Sequence, residues 1–297
     1  MRLALIFDKT RPDTTGIYFE RACRSLGLSV DHWWLRDAAR IPAQYDLYLR
    51  VDHGDDYAVE LPNGLRPAVF YAIDTHLSPT WRKIRRVAAQ YDRVYCAQAN
   101  AARQLGNGEW LPLACDLELH GVIRAPEVVL DVAFVGSDGG VPRKFYLQAL
   151  RERYPNNFLG SAAYTELGAI YGRARIGFNY AIAADVNMRV FEVLAAGALL
   201  VTNALPHDDL GRLGLADGQH LILYRTPKEL FERIDYFLAH AQERERIAHA
   251  GRARVMERHT YVHRLQQLLA SLSRHLDLAV PSNAQESIPC VSPSPPS

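Results

Sequence analysis

An α/β fold of two Rossmann-like domains, each with a parallel sheet and facing a cleft, is predicted by three observations. Short β-rich runs alternate with runs of helical period over nearly the whole chain, the pattern of parallel α/β sheets. That alternation stops and begins again around residues 113–130. The length, 297 residues of which 48% are hydrophobic, suffices for two ordinary domains.

In the first half, "RLALIF" reads as a strand, and the polar loop "DKTRPDTTG" leads into a helix carrying Ile17, Phe19, Ala22, Cys23 and Leu26. "YDLYLRV", "PAVFYAI" and "DRVYCAQ" read as further strands, with a helix around residues 80–90. "GEWLPLACD" closes this half. In the second, "DVAFVGS" is a strand, and "PRKFYLQALRERY" a helix with Pro142 near its first turn, where a missing N–H costs nothing. "NNFLG", "RIGFNYAI", "ALLVTN" and "HLILYR" are strands, with helices at "YTELGAIYGRA" and "NMRVFEVLAA". Three helices starting near Pro227, Ala241 and Tyr261 finish the fold. The tail from Val280, rich in Pro and Ser, is expected to be disordered.

Composition excludes several classes. With 34 basic against 33 acidic side chains the chain lacks the basic excess of a nucleic-acid binder, so no nucleic-acid partner is expected. The longest apolar run, "VLAAGALLV", is too short for a transmembrane segment. Cys23, Cys96, Cys115 and Cys290 are scattered without a CxxC pair, which suits reduced thiols in a cytoplasmic protein and no metal site.

In parallel sheets ligands sit at the C-terminal strand ends, near helix N-termini. Four loops qualify. "FVGSDGGVPRK" leaves its strand through Gly136, Ser137, Gly139 and Gly140 and reaches Arg143 and Lys144. It suits a phosphate cradle, and equally a flexible loop with two solvated cations. Thr14, Thr15 and Gly16 occupy the matching place in the first half, as a helix cap or as a ligand-facing loop. Asp74, Thr75 and His76 end a strand, where Asp74 and His76 could serve as general base or simply hydrogen-bond locally. Asp52 and His53 read as part of a polar loop. On the helix at 187–196, Arg189 and Glu192 lie three apart and share a face. Arg189 would add to the positive end of the helix dipole for a diphosphate, and Glu192 could accept from two ribose hydroxyls. The alternative is a plain Arg–Glu surface pair. His259 and His263, four apart, could share a helix face as metal ligands, but no third ligand accompanies them, and a helix start capped by Thr260 is the simpler reading.

The stretch "NMRVFEVLAAGALLVTN" resembles the donor-site signature of GT-B glycosyltransferases, in particular the CgeB-like (spore maturation protein-like) branch related to family 4 glycosyltransferases. "DVAFVGS" with Arg143 downstream, "IYGRARIGFNY", "GQHLILYRTPKELFERIDYFLAH" and "ERERIAHAGRARVMERHTYVHRLQQLL" follow the same family in order, over residues 131–270. The first half is similar more loosely, through "RPAVFYAIDTH", "YDRVYCAQ" and "WLPLACD".

The resemblance implies a hexosyltransferase that binds a nucleoside-diphosphate-sugar, a UDP-sugar being the expected donor, and needs no cofactor or metal. It implies an acceptor domain at 1–115, a donor domain at 116–260, and a helix at 261–279 that crosses back to the first domain. The acceptor would be a glycan, lipid or protein hydroxyl. Glu192 would hold the ribose and Arg189 the diphosphate, with Arg143 or Lys144. Asn179, Tyr180 and Asn187 would line the donor site with Gly136 and Ser137. Related retaining enzymes carry a second glutamate eight positions earlier, and this chain has Ala184 there with Asp185 beside it. Asp185 is the candidate for that role. An inverting reaction would instead need a base, Asp74 or His76. Two other readings use the same architecture: a nucleotide-sugar epimerase and a non-catalytic nucleotide-sugar or glycan binder.

Overall fold

The computed structural model describes residues 1–10, 13–54, 57–121, 127–276 and 278–285. They form two compact units, Met1–Pro112 with the C-terminal residues from Tyr261, and Leu113–Thr260.

The first unit contains β1 (Arg2–Ile6), α1 (Thr15–Ser25), β2 (Ser29–Trp33), β3 (Leu47–Val51), β4 (Ala68–Ala72), α2 (Ser78–Val87), β5 (Arg93–Cys96), α3 (Ala99–Ala102) and β6 (Gly108–Trp110). The six strands are all parallel, in the order β2-β1-β3-β4-β5-β6. Strands β3 and β4 are buried at every residue, which explains their unbroken apolar sequence: both faces of a parallel sheet are covered. The edge strand β2, "SVDHW", shows no such run and escapes a reading based on apolar runs. Its Asp31 instead accepts from the Arg2 guanidinium at 2.7 Å and the Tyr45 hydroxyl at 2.9 Å. Helix α1 lies so close to the sheet that a Cβ on Gly16 would stand 2.3 Å from the Phe7 ring. Gly16 is thus a packing residue.

The second unit contains β7 (Leu130–Val135), α4 (Arg143–Arg153), β8 (Asn157–Gly160), α5 (Leu167–Gly172), β9 (Ala174–Asn179), α6 (Met188–Ala196), β10 (Leu199–Asn203), α7 (Asp209–Arg212), β11 (Ile222–Tyr224), α8 (Pro227–Ala239) and α9 (Ala241–Arg258). Its five strands are parallel, in the order β11-β10-β9-β7-β8. The core joins Phe134, Ile176, Phe178, Leu199 and Val201 to Leu150, Leu230, Ile234 and Ile247 from the helices. Gly197 ends α6 in the left-handed region at φ 85°, a conformation that costs other residues about 1 kcal/mol. The two ends of this unit lie side by side: the Cys115 N–H donates to the His259 carbonyl at 3.0 Å, and Cys115 bridges to Thr260.

The chain then returns to the first unit as α10 (Tyr261–Leu276). Its buried face, Tyr261, Leu265, Leu268, Leu269 and Leu272, has the spacing of one helical stripe. Tyr261 packs at 5.1 Å from Tyr18 and 5.4 Å from Phe19 between ring centres. The buried Arg264 donates to the Pro112 carbonyl at 2.8 Å. A last short helix, α11 (Ser282–Gln285), is fastened by Asn283, whose amide donates to the Leu26 carbonyl at 2.5 Å. Order therefore extends past Val280, where the composition places the start of the tail. Residues 286–297, Cys290 among them, lie outside the described residues.

Candidate active site

In both sheets the chain leaves the first strand, adds the second on one side, and continues with the third on the other. The crevice where the order reverses is where open parallel sheets bind ligands. In the second unit that point lies between β7 and β9.

Two arginines meet there. Arg189, in the first turn of α6, donates to the Val135 carbonyl through Nε at 3.1 Å and Nη2 at 3.0 Å, and to Asn179 Oδ1 through Nη1 at 3.1 Å. Arg143, first residue of α4, donates to the carbonyls of Asp138 at 3.1 Å and Tyr180 at 3.4 Å. The two guanidiniums lie 4.3 Å and 5.4 Å from the ring centre of the same buried Phe134. Neither forms an ion pair with a carboxylate among the described residues. Burial first, and the Arg189 charge second, hold the Arg143 guanidinium below its ordinary pKa. The Asp138 charge opposes that shift without pairing, so the two cations beside the positive end of α6 keep the capacity to attract an anion.

Gly136 makes the arrangement possible. It sits at φ 143°, and a Cβ there would stand 2.5 Å from Arg189 Nη2. Ser137 and Lys144 are exposed on the same loop and α4 start.

The residues expected to line this site divide in two. Tyr180, half-buried, stacks on Tyr146 at 5.0 Å and gives its carbonyl to Arg143. Asn187, at the N-cap of α6, donates to Asn179 Oδ1 at 3.2 Å, and its own buried Oδ1 has no partner among the described residues. Asn179 does not line the surface at all. Fully buried, it donates to Thr202 Oγ1 at 2.9 Å and accepts from Asn187 and Arg189, so its influence on a ligand passes through Arg189.

Glu192 is only 8% exposed, and its Oε1 lies 3.8 Å from Nε2 of the buried His120. The Asp116 N–H donates to His120 Nδ1 at 3.0 Å, which leaves the Nε2 side carrying the proton toward Glu192. Arg189 and Glu192 both act on the buried Tyr171, whose hydroxyl accepts from the Val135 N–H at 2.9 Å. Burial pushes that hydroxyl's pKa up to about 12, with Arg189 opposing the rise and Glu192 adding to it. The shared helix face read from their spacing is thus real, but Glu192 is set deeper and has His120 behind it. Asp185 is half-buried, and the preceding Ala184 takes a left-handed φ of 53°, local strain of the kind stored at functional loops.

In the first unit, Asp74 is exposed just beyond β4 at φ 52°, and His76 is exposed two residues on. Thr75 between them turns inward, its N–H and hydroxyl both donating to Gln98 Oε1, at 3.1 and 2.5 Å. Thr14 stands at the N-cap of α1, yet its side chain makes no cap bond, and its buried Oγ1 has no partner among the described residues. Thr15 and Gly16 are buried as well, so this trio offers a ligand little surface.

The reversal of strand order in this sheet falls between β1 and β3, where the Asp8 N–H donates to His53 Nδ1 at 3.2 Å. Thr10 holds the Asp8 carboxyl below its ordinary pKa, with His53 a smaller cause. No apolar pattern flags this pair, because strand order is not written in the local sequence. Asp52 is no loop residue in effect: fully buried, it accepts from Tyr57, Gly54 and Ile73 at 2.7, 3.0 and 3.1 Å.

His259 and His263 fall on either side of the break between α9 and α10 and do not share a helix face; His259 meets the Leu213 carbonyl at 2.9 Å. No group of three metal-binding side chains occurs among the described residues. Cys23, Cys96 and Cys115 are buried and outside any disulfide; burial pushes the first two thiols up to about 12, and the Cys115 thiol donates to the His259 carbonyl at 3.4 Å. No helix among the described residues is long and apolar enough to cross a membrane.

The sequence profile of the family described as glycosyl transferase-like matches residues 119–270. No curated protein matches the chain. Among solved structures it is similar to Anabaena HepE, in complex with UDP and glucose, at 12% identity and a TM-score of 0.67, covering 92% of this chain and 99% of that one. T4 phage BGT, in complex with its UDP-glucose substrate, aligns at 14% identity and a TM-score of 0.60, covering 94% and 100%. An alpha-glucosyltransferase in complex with UDP and a 13-mer DNA aligns at 10% identity and 0.67, covering 92% and 100%. Identities this low speak for the fold, an α/β architecture of two parallel sheets shared with GT-B glycosyltransferases.

Proposed function

The chain belongs to the glycosyl transferase-like family, and from that premise we propose that it moves a sugar from a nucleoside-diphosphate-sugar to a hydroxyl acceptor. UDP-glucose is the donor type the reading favours, since HepE and BGT were solved with UDP-glucose or its parts. The observation that carries the proposal is the Arg143–Arg189 pair: two guanidiniums on one aromatic ring, braced by carbonyl oxygens and not ion-paired to a carboxylate among the described residues.

In this reading the diphosphate bridges the two arginines, with Lys144 and Ser137 at its edge. As the bond to the sugar breaks, negative charge grows on the departing diphosphate. Cations already held in place stabilise that charge without having to reorganise. Glu192 accepts from the ribose hydroxyls, and Asn179 and Asn187 fix the Arg189 fork. Asp185 faces the sugar. Asp74 or His76 takes the acceptor proton if the configuration inverts, and Asp8 with His53 is the alternative acceptor-side pair.

We further assign the chain to the CgeB-like branch, on the residues around Arg189 and Glu192, and place the reaction in the cytoplasm, which suits three cysteines outside any disulfide. The acceptor is a glycan, lipid or protein hydroxyl. Modified DNA enters as the competing class through the DNA-bound neighbour. The proposed domain roles are donor binding at 116–260 and acceptor binding at 1–115.

Thermal unfolding with UDP, GDP, ADP and their glucose conjugates tests the donor site. A ligand at 100 times its dissociation constant adds about 2.7 kcal/mol, several degrees for a chain of this size. A shift with uridine compounds alone is expected, followed by UDP release from UDP-glucose with one acceptor class. No shift with any nucleotide would overturn the proposal. A shift without UDP release under any acceptor would favour the non-catalytic binder, for which Ala184 in place of a glutamate speaks.

A further inference from the structure

Helix α2 carries Arg82, Lys83, Arg85 and Arg86 within five positions, and all four are exposed. None forms an ion pair or hydrogen bond with another side chain among the described residues. From Thr75 to Tyr91 the sequence holds no acidic residue. The rest of the chain holds 30 basic against 33 acidic side chains, so this helix is a local run of unopposed cations on a chain otherwise net acidic.

The concentration has a cost. Arg82–Arg85, Lys83–Arg86 and Arg82–Arg86 are like-charge neighbours at three and four positions, each destabilising a helix by about 0.2–0.5 kcal/mol. Arg85 and Arg86 gain from the helix C-terminus, whereas Arg82 and Lys83, a turn earlier, do not. The opposite face, Ile84 and Val87, is buried in the core. At the start of the helix Leu77 is 46% exposed, and Trp81, four residues on, is half-buried with its indole N–H donating to Gln104 at 3.1 Å.

We propose that α2 is a docking surface for an anionic lipid bilayer. Each cation near such a surface contributes about 1 kcal/mol, so four give reversible attachment. Leu77 suits the boundary between headgroups and acyl chains, whereas Trp81 packs against the core and fixes the helix beneath the cations. Duplex nucleic acid fits less well. Its binders spread many phosphate contacts over a basic domain, and the remainder of this chain is net acidic.

The test is cosedimentation of the full chain with phosphatidylcholine vesicles, with and without phosphatidylserine, at low and high salt. Binding to the mixed vesicles alone, lost at high salt, is the expected result. Each cation-to-glutamine change should weaken partitioning about fivefold. The quadruple variant Arg82→Gln, Lys83→Gln, Arg85→Gln, Arg86→Gln should fall to background with an unfolding midpoint no lower than that of the wild type. Leu77→Asn should weaken it less than any cation change. Absence of binding, equal binding to neutral vesicles, or wild-type binding by a folded quadruple variant would overturn the proposal. So would binding of duplex DNA in preference to vesicles.

Discussion

Arg50 in the first unit and Arg189 in the second are held by the same means. Arg50 is fully enclosed. It donates to the Tyr91 hydroxyl at 2.8 Å and the Val59 carbonyl at 3.1 Å, and lies 5.0 Å from the Phe70 ring centre. Arg189 likewise meets a carbonyl, a neutral side-chain oxygen and an aromatic ring, but remains partly open, with a second guanidinium beside it. A guanidinium enclosed in the core and held by a hydroxyl, a carbonyl and a ring is part of the packing, and its removal leaves a cavity. One left partly open next to another cation fits the proposed diphosphate site.

This contrast can be broken by substitution. Arg50→Ala should destabilise the protein by about 2–4 kcal/mol, through lost hydrogen bonds and a large cavity, while UDP binding at permissive temperature persists. Arg189→Ala should lower the urea midpoint less than Arg50→Ala does and weaken UDP roughly 10- to 100-fold, the worth of charge-assisted bonds. An exchange of these phenotypes would show that Arg189 is the structural one. Next in size, Gly136→Ala should weaken UDP roughly tenfold by driving the Arg189 fork aside. Gly140→Ala is its control: φ there is also positive, at 77°, but a Cβ would meet nothing within 4 Å. Equal effects from the two would assign the loss to backbone strain.

A smaller effect sharpens the role of Glu192. Glu192→Gln should reduce the preference for UDP over 2′-deoxy-UDP, measured by calorimetry, about fivefold. His120→Gln should do the same in part, because His120 orients the carboxylate. An unaltered preference in both would remove Glu192 from the ribose. The smallest expected effect is a slope of stability with pH. Burial lowers the pKa of His32 and His220 below 6.5, so the folded state binds fewer protons than the unfolded. Stability is then complete above pH 6.5 and declines as pH falls below it toward the lowered values. Unfolding midpoints between pH 5 and pH 7 read this slope, and His32→Gln with His220→Gln should flatten it.

The sequence carries what is local. The α/β alternation, the glycine-rich loop after β7 and the Arg189–Glu192 spacing are legible because their residues adjoin. Partners brought from far away are not. Val135, Asn179 and His120 act on α6 from ten to more than seventy positions off, and nothing in their own neighbourhoods announces it. Strand β2 is hidden because Asp31 and His32 interrupt its apolar run. Thr14 has the composition of a helix cap, but its hydroxyl is turned into a buried setting. Asp8 and His53 became a candidate pair only once the strand order was known.

The return of the chain as α10 also sets a timetable. The unit at Leu113–Thr260 is complete once its own residues have been made, whereas its older neighbour waits for Leu276. On a ribosome adding about 5–20 residues each second, Tyr18, Phe19 and Tyr95 stay uncovered for roughly ten to fifty seconds. The half of the molecule synthesised first is therefore the last to be finished, and in that interval a chaperone has most to shield.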